Sequence, residues 1–364
     1  MKKIALFALF LTVFVCFSVT CYASDASVEN IIPNETQDIL EQNGFSEFDV
    51  DVLLELSPEK VVNYIINSVK NQINAPFILF YIIFLVIIIT SITSGINGGF
   101  LSGELERNFS IVGVLSVCTT AIVPIIACAE ETRVFINQIS GFVKVFVPVL
   151  SGVMISGGQV SSGTGYQIIM IFAAEFLSTF LSGIILPLIL MYLAFATVGR
   201  ITAGFKIDTI TNSVKSTVNW TLSLLMSLFV ALVTIKGLVG AGSDSIALRT
   251  GRFFVGSFVP AVGAALAEAA ATVQKSIGLI KNTTGVFGII AAALYFIPPL
   301  IKILIYKFTC DLSSIIGDML GAEKIAGLLK DISAVLGLLS SVILSYGVLV
   351  VLSTAVTLII GGGT

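Results

Sequence analysis

Residues 77–96 read Phe-Ile-Leu-Phe-Tyr-Ile-Ile-Phe-Leu-Val-Ile-Ile-Ile-Thr-Ser-Ile-Thr-Ser-Gly-Ile, without one Asp, Glu, Lys or Arg. A helix rises about 1.5 Å per residue, so about 20 apolar residues cross the ~30 Å hydrocarbon core of a bilayer. Working outward, five more stretches have this character: Ile111 to Ala129, Ile168 to Val198, Trp220 to Val239, Val286 to Ile305 and Val335 to Ile360. Across the 364 residues, 56% are hydrophobic and 11% charged, with a mean hydropathy of +1.04. Soluble domains carry about 25% charged residues, and no water-soluble fold hides this much apolar surface. The expected fold is all-α, a polytopic helical membrane protein.

Two less regular apolar stretches, Phe142 to Ile155 and Phe253 to Ala271, each contain proline and glycine. Either they cross or they dip in and return, which gives six to eight membrane segments. They resemble each other: Phe142, Val143, Phe146, Val147 and Pro148 match Phe254, Val255, Phe258, Val259 and Pro260 at an offset of 112. At the same offset Pro187, Leu188 and Ile189 match Pro299, Leu300 and Ile301. The pattern reads as an internal duplication, with halves at about 111–198 and 220–305. Paired Gly/Pro-interrupted segments mark backbone that lines a cavity or hides in protein, because lipid cannot satisfy free amides. If each repeat crosses three times the halves are inverted; if the broken segments re-enter, they are parallel. Loop charge does not decide, although Arg200, Lys206 and Lys215 on the cytoplasmic side favour re-entry slightly. The loops at 199–219 and 272–285 separate the two topologies.

At the N-terminus Lys2 and Lys3 precede an apolar run from Ile4 to Val19, with small residues at Cys21 and Ala23. This is the layout of a secretory signal over residues 1–23, cleaved between Ala23 and Ser24. A retained anchor and a lipoprotein cleaved at Cys21 are the alternatives. Residues 24–75 form an acidic extracytoplasmic segment with ten acids against two bases, and residues 76–364 form the membrane domain. Ser57, Pro58 and Glu59 read as a helix start, with an N-cap, proline at the first position and early negative charge. Val61, Val62, Ile65 and Ile66 then fall on one face that needs a partner. Its few Lys and Arg argue against the membrane surface. A packing role within the segment itself is the simpler alternative.

The chain holds no histidine, which excludes histidine triads and histidine metal ligands. Cys118, Cys128 and Cys310 have no paired spacing and read as small packing residues. There is no phosphate-binding glycine loop with Lys and Ser or Thr, and no Gly-x-Ser-x-Gly elbow. No cofactor is expected, and the acidic leading segment argues against nucleic acid. Lys144, Glu175, Lys236, Glu268 and Lys302 lie in or beside apolar stretches. A charge at the bilayer centre costs about 2.5–3.5 kcal/mol on insertion scales, so each should meet protein, water or an interface. Glu175 and Glu268 are the stronger candidates for a polar pathway, since they snorkel less readily than lysine. An ion pair without a transport role is the alternative for each. The small residues of Gly263 to Ala271 permit close helix packing.

Taken together, the signal with its acidic segment, Phe205-Lys206-Ile207-Asp208 leading to Trp220, Lys236-Gly237-Leu238-Val239-Gly240 followed by Arg249 to Ala271, and the Pro298-Pro299 helix resemble the stage III sporulation protein AE family of endospore-forming Firmicutes. The resemblance covers the whole chain through order and local stretches. It implies a subunit of a channel complex between mother cell and forespore, in the mother-cell-derived outer forespore membrane, with the N-terminal segment in the intermembrane space. It implies partners among the other stage III A proteins, including a separate ATPase and ring-forming subunits, and the forespore channel protein Q. It supplies no catalytic residues. A self-contained secondary transporter, built on the repeat and the buried charges, is the competing reading. An intramembrane enzyme would need an acid pair such as Glu175 and Glu268.

Overall fold

The computed structural model describes residues 66–67, 69–70, 72–96, 103–201, 207–258 and 263–360, and every regular element among them is helical. The elements are α1 (Asn74–Ile96), α2 (Gly103–Ser156), α3 (Val160–Phe180), a π-helical turn (Leu181–Ile185), α4 (Leu186–Ile201), α5 (Ile207–Phe258), α6 (Gly263–Met319) and α7 (Glu323–Ile360). Among the described residues six helical spans are long and apolar enough to cross a membrane, with α3, the π turn and α4 forming one of them. Each of the six regular apolar stretches falls inside the helices that form these spans. The chain is an integral membrane helix bundle.

Helix length is the unexpected property. With 54, 52 and 57 residues, α2, α5 and α6 each run roughly 80 Å, more than twice the hydrocarbon thickness. Sequence reading ends one apolar stretch at Ala129 and begins a second, interrupted at Pro148, at Phe142. In the structure α2 continues through both the charged junction between them, at Glu130–Arg133, and the prolines, Pro124 and Pro148. The junction stays helical because its charged and hydroxyl side chains find partners without a loop, although Arg133 Nε makes no hydrogen bond. Arg133 and Glu130 lie 3.7 Å apart at helical spacing, Glu131 pairs with Lys302, and Thr132 donates to Cys128 O at 2.8 Å. Proline removes one backbone bond but leaves the apolar packing of its helix in place. The polar stretch 272–285, read as a loop, is likewise part of α6, which also contains Pro298 and Pro299. Pro187 is the second residue of α4, directly after the π turn. Its ring cannot donate to Gly183 O and would crowd that carbonyl in a regular α-turn; the wider turn relieves both problems. Pro260 lies outside the described residues.

Two hairpin turns define the ends of the bundle. Gly158 (φ 84°) ends α2, where Gln159 N–H donates to Met154 O at 2.9 Å; Gly321 (φ 78°) ends α6, where Ala322 N–H donates to Gly317 O at 2.8 Å. Both are glycine-capped helix stops whose left-handed residue an ordinary side chain would strain. The core sits on the last helix: 67% of the apolar window of α7 is buried, against 22% for α5. Helix α7 packs against α2, α4, α5 and α6. Its buried hydroxyls, Ser353, Thr354 and Thr357, donate to carbonyls one turn back at 2.7–2.9 Å, so they enter the core without an orphaned donor. Small residues bring neighbours close: a Cβ on Gly347 would lie 3.0 Å from the Phe296 ring, and one on Gly285 would lie 2.4 Å from Leu358.

Candidate functional site

The charges form inter-helix pairs arranged along the bundle. Lys144 on α2 and Glu175 on α3 make a short ion pair. Beside it Ser140 Oγ and Tyr346 OH both donate to Ala174 O, at 3.3 and 3.1 Å, tying α2, α3 and α7 together. Further along α2, Glu131 forms a short pair with Lys302 of α6.

Towards the α6–α7 turn the polar groups condense into a cluster. Lys307 Nζ donates to Asp311 Oδ2 at 2.6 Å and to Ser333 Oγ at 3.1 Å, while Ser333 makes a short bond to Asp311 Oδ1. Arg200 at the end of α4 donates from Nε to Asp331 Oδ2 at 2.8 Å, and Lys330 bonds Asp318 at 2.6 Å. The Arg200 guanidinium lies against Gly327, where a Cβ would approach within 2.8 Å of it. Glycine there leaves room for the arginine to reach across α7.

At the opposite end, buried Asp244 of α5 accepts the Ser161 and Ser162 backbone N–H groups at 2.8 and 2.9 Å. A carboxylate from one helix thus satisfies the free amides and the positive end of another. Gly240 makes this approach possible, since a Cβ there would lie 2.8–3.0 Å from Ser162 atoms. Lys281 donates to Gln159 at 3.2 Å, and Tyr166 OH bonds Thr354 Oγ1 at 3.2 Å. Exposed Lys236 stands at the rim of a recess lined by Ser162, Tyr166, Val233, Gly237 and Thr357. With about 10 Å³ open to the centre of a water, it holds about one water molecule. That is too small for a transported solute.

Of the charges singled out in the sequence, the structure joins Lys144 to Glu175, gives Lys302 a partner in Glu131 and leaves Lys236 at the recess. The Glu268 side chain, Ala23, Ser24, Val61, Val62 and Ile65 lie outside the described residues; Ile66 is helical and exposed. Sequence reasoning missed Glu131, Asp244, Arg200 and Asp331 as structural partners. Asp331 had a signal, a carboxylate beside Lys330 at the edge of the apolar run of the final helix, and Asp244 had one in its position just after Gly237, Gly240 and Gly242. Among the described residues no group of His, Cys, Asp and Glu is arranged to hold a metal ion.

The profile of the family described as Stage III sporulation protein AE (spore_III_AE) matches residues 49–361. The chain belongs to that family. The Stage III sporulation protein AE of Bacillus subtilis (strain 168) is 26% identical over 198 residues, which is 54% of this chain and 50% of that protein. The aligned part therefore spans about half the length of that curated relative. No solved structure matches the chain. Family membership links this bundle to sporulation, and the family name describes no catalytic activity.

Proposed function

We propose that this sporulation protein AE family member is a non-catalytic membrane subunit of a multiprotein, secretion-type channel complex that joins mother cell and forespore. In this reading it sits in the mother-cell-derived outer forespore membrane with residues 24–75 in the intermembrane space. It assembles there with the other stage III A proteins, a separate ATPase and ring-forming subunits among them, and with forespore channel protein Q. The helix face at Val61, Val62, Ile65 and Ile66 is a partner contact, and residues 1–23 are the cleaved signal.

One observation carries the reading. From Val160 to Gly199 the chain has 40 residues with Glu175 as their single charge, about 60 Å of helix that is apolar from Ile168 on, against a ~30 Å hydrocarbon core. Ile168, Phe172, Ile184, Met191 and Val198 along it are exposed. To fit even Ile168 and Val198 into the core together, 30 residues and about 45 Å apart, needs a tilt near 50°, beyond the roughly 0–40° range of membrane helices. Apolar surface left outside lipid has to be covered by protein, as in a platform subunit and not in a self-sufficient carrier.

The runner-up, a secondary transporter, rests on the 112-residue repeat. Purification of the tagged full-length chain from sporulating cells, with reconstitution of the same protein alone, separates the two. The channel reading expects stage III A partners to co-purify and the isolated chain to move no solute. Solute flux by the isolated chain, or purification without those partners, overturns it.

A further inference from the structure

The Lys144–Glu175 pair presents a physical conflict. Both side chains are substantially open, 47% and 63% exposed, yet the surface on one side of them is apolar, with Val145 and Ile155 on α2 and Ile168 and Phe172 on α3, while Asn137 and Ser178 form a polar contact on the other. If lipid covers this face, an open ion pair sits in hydrocarbon, which costs kcal/mol per charge even when paired. If water covers it, the flanking phenylalanine and isoleucines are wetted across a broad patch. A protein surface that is apolar and bears one charge of each sign removes both costs.

The face also suits a close helix approach. Asn137, Gly141, Lys144, Pro148 and Gly152 follow one another at helical spacing along α2, and a Cβ on Gly141 or Gly152 would meet nothing within 4 Å. Small residues pointing outward from a membrane helix let a second backbone come near.

We propose that the α2–α3 face centred on Lys144 and Glu175 is a two-fold interface between copies of this chain. The charge pattern selects this occupant. A patch with one cation and one anion is its own complement, so a two-fold through its centre offers Glu175 of one copy to Lys144 of the other, and the reverse. The four charges then form a closed, desolvated network and the flanking apolar residues meet their equivalents. This deepens the channel-subunit reading, on which it rests, by naming one of the contacts the assembly needs.

Disulfide trapping in native membranes tests it on the full-length chain. Cys118, Cys128 and Cys310 are buried, so a thiol at Gly141→Cys reports on the face. Oxidation should link Gly141→Cys into a homodimer absent from the unsubstituted protein. Adding Lys144→Glu should lower the linked fraction about tenfold or more through like-charge repulsion, and Lys144→Glu with Glu175→Lys should restore it. Should Lys144→Glu fail to accumulate, the Gly141→Cys link in the otherwise native chain decides alone. A Gly141→Cys thiol that stays monomeric at normal abundance overturns the proposal, whether brominated lipid or the chain's own N-terminal segment proves to cover the face. If the sporulation partners still co-purify in that case, the interface fails and the channel reading survives.

Discussion

Helix α6 allows the packing argument to be tested by two substitutions of the same kind, ten residues apart. A Cβ added at Gly288 would lie 2.0 Å from Phe146 Cζ and 2.5 Å from two more ring carbons, whereas one added at Gly278 would meet nothing within 4 Å. Phe146 has little room to retreat. It is buried, its ring stacks on Phe142 with centroids 5.2 Å apart, and Phe142 in turn leans on Tyr295 at 5.7 Å. Replacing a helical glycine by alanine gains about 0.5–1 kcal/mol where the site is open. Overpacking a tight contact costs about 1–3 kcal/mol. The net expectation is a gain of about 0.5–1 kcal/mol for Gly278→Ala and a loss of about 1–2 kcal/mol for Gly288→Ala, two substitutions of opposite sign. The assay is thermal unfolding in mild detergent, read by a thiol-reactive dye that reaches buried Cys118, Cys128 and Cys310 when the bundle opens. Trimming the ring in Gly288→Ala/Phe146→Leu should cost less than the two single changes added together, because both act on one contact. If Gly288→Ala melts at or above Gly278→Ala, the close contact between α2 and α6 is not there and the reasoning fails.

Asp331→Asn should destabilise the bundle by about 2 kcal/mol in the same melt, since it removes the carboxylate that Arg200, one-third exposed, binds across the α4–α7 contact. Asp244→Ala should cost about 1–2 kcal/mol and speed hydrogen exchange at the Ser161 and Ser162 amides, while Asp244→Asn, which keeps an acceptor, should lose less. Pro148→Leu should be tolerated in membrane abundance and melt at or above the parent. The helix already runs through that position, and leucine supplies the N–H that Lys144 O lacks.

Membrane residence, the all-helical class and the six regular apolar stretches were legible because each depends on local composition: twenty apolar residues in a row have few other physical solutions. The interruption at Pro148 was misjudged for a related reason. Proline and glycine signal a break in isolation, but at this site Phe142, Val143, Phe146, Val147 and Leu150 are all buried against neighbouring helices, and their packing outweighs one absent hydrogen bond. The candidate charges were legible as anomalies in apolar sequence. Their partners were not, since Glu131 and Lys302, or Arg200 and Asp331, meet only through tertiary contacts across more than a hundred residues. The π turn escaped as well: Pro187 announces trouble for the preceding carbonyls, but not whether a kink, a loop or a widened turn resolves it.

The position of α7 links folding to assembly. It is the last of the described helices in chain order and the most enclosed, so the surfaces of α2, α4, α5 and α6 that it covers stay open until it arrives. Those surfaces carry Lys307, Asp311 and Arg200, whose partners Ser333 and Asp331 are on α7. Insertion of the earlier spans therefore leaves the Lys307–Asp311 pair and Arg200 beside apolar faces before Ser333 and Asp331 join them, a state stable only while water or another chain attends it. Docking of α7 removes that liability for the cluster near the α6–α7 turn, yet it covers neither Lys144 nor Glu175, which stay open in the finished bundle. The same physics that requires α7 inside the bundle then acts on the remaining exposed pair. The demand one chain cannot meet internally passes to the α2–α3 face, where a second chain can meet it.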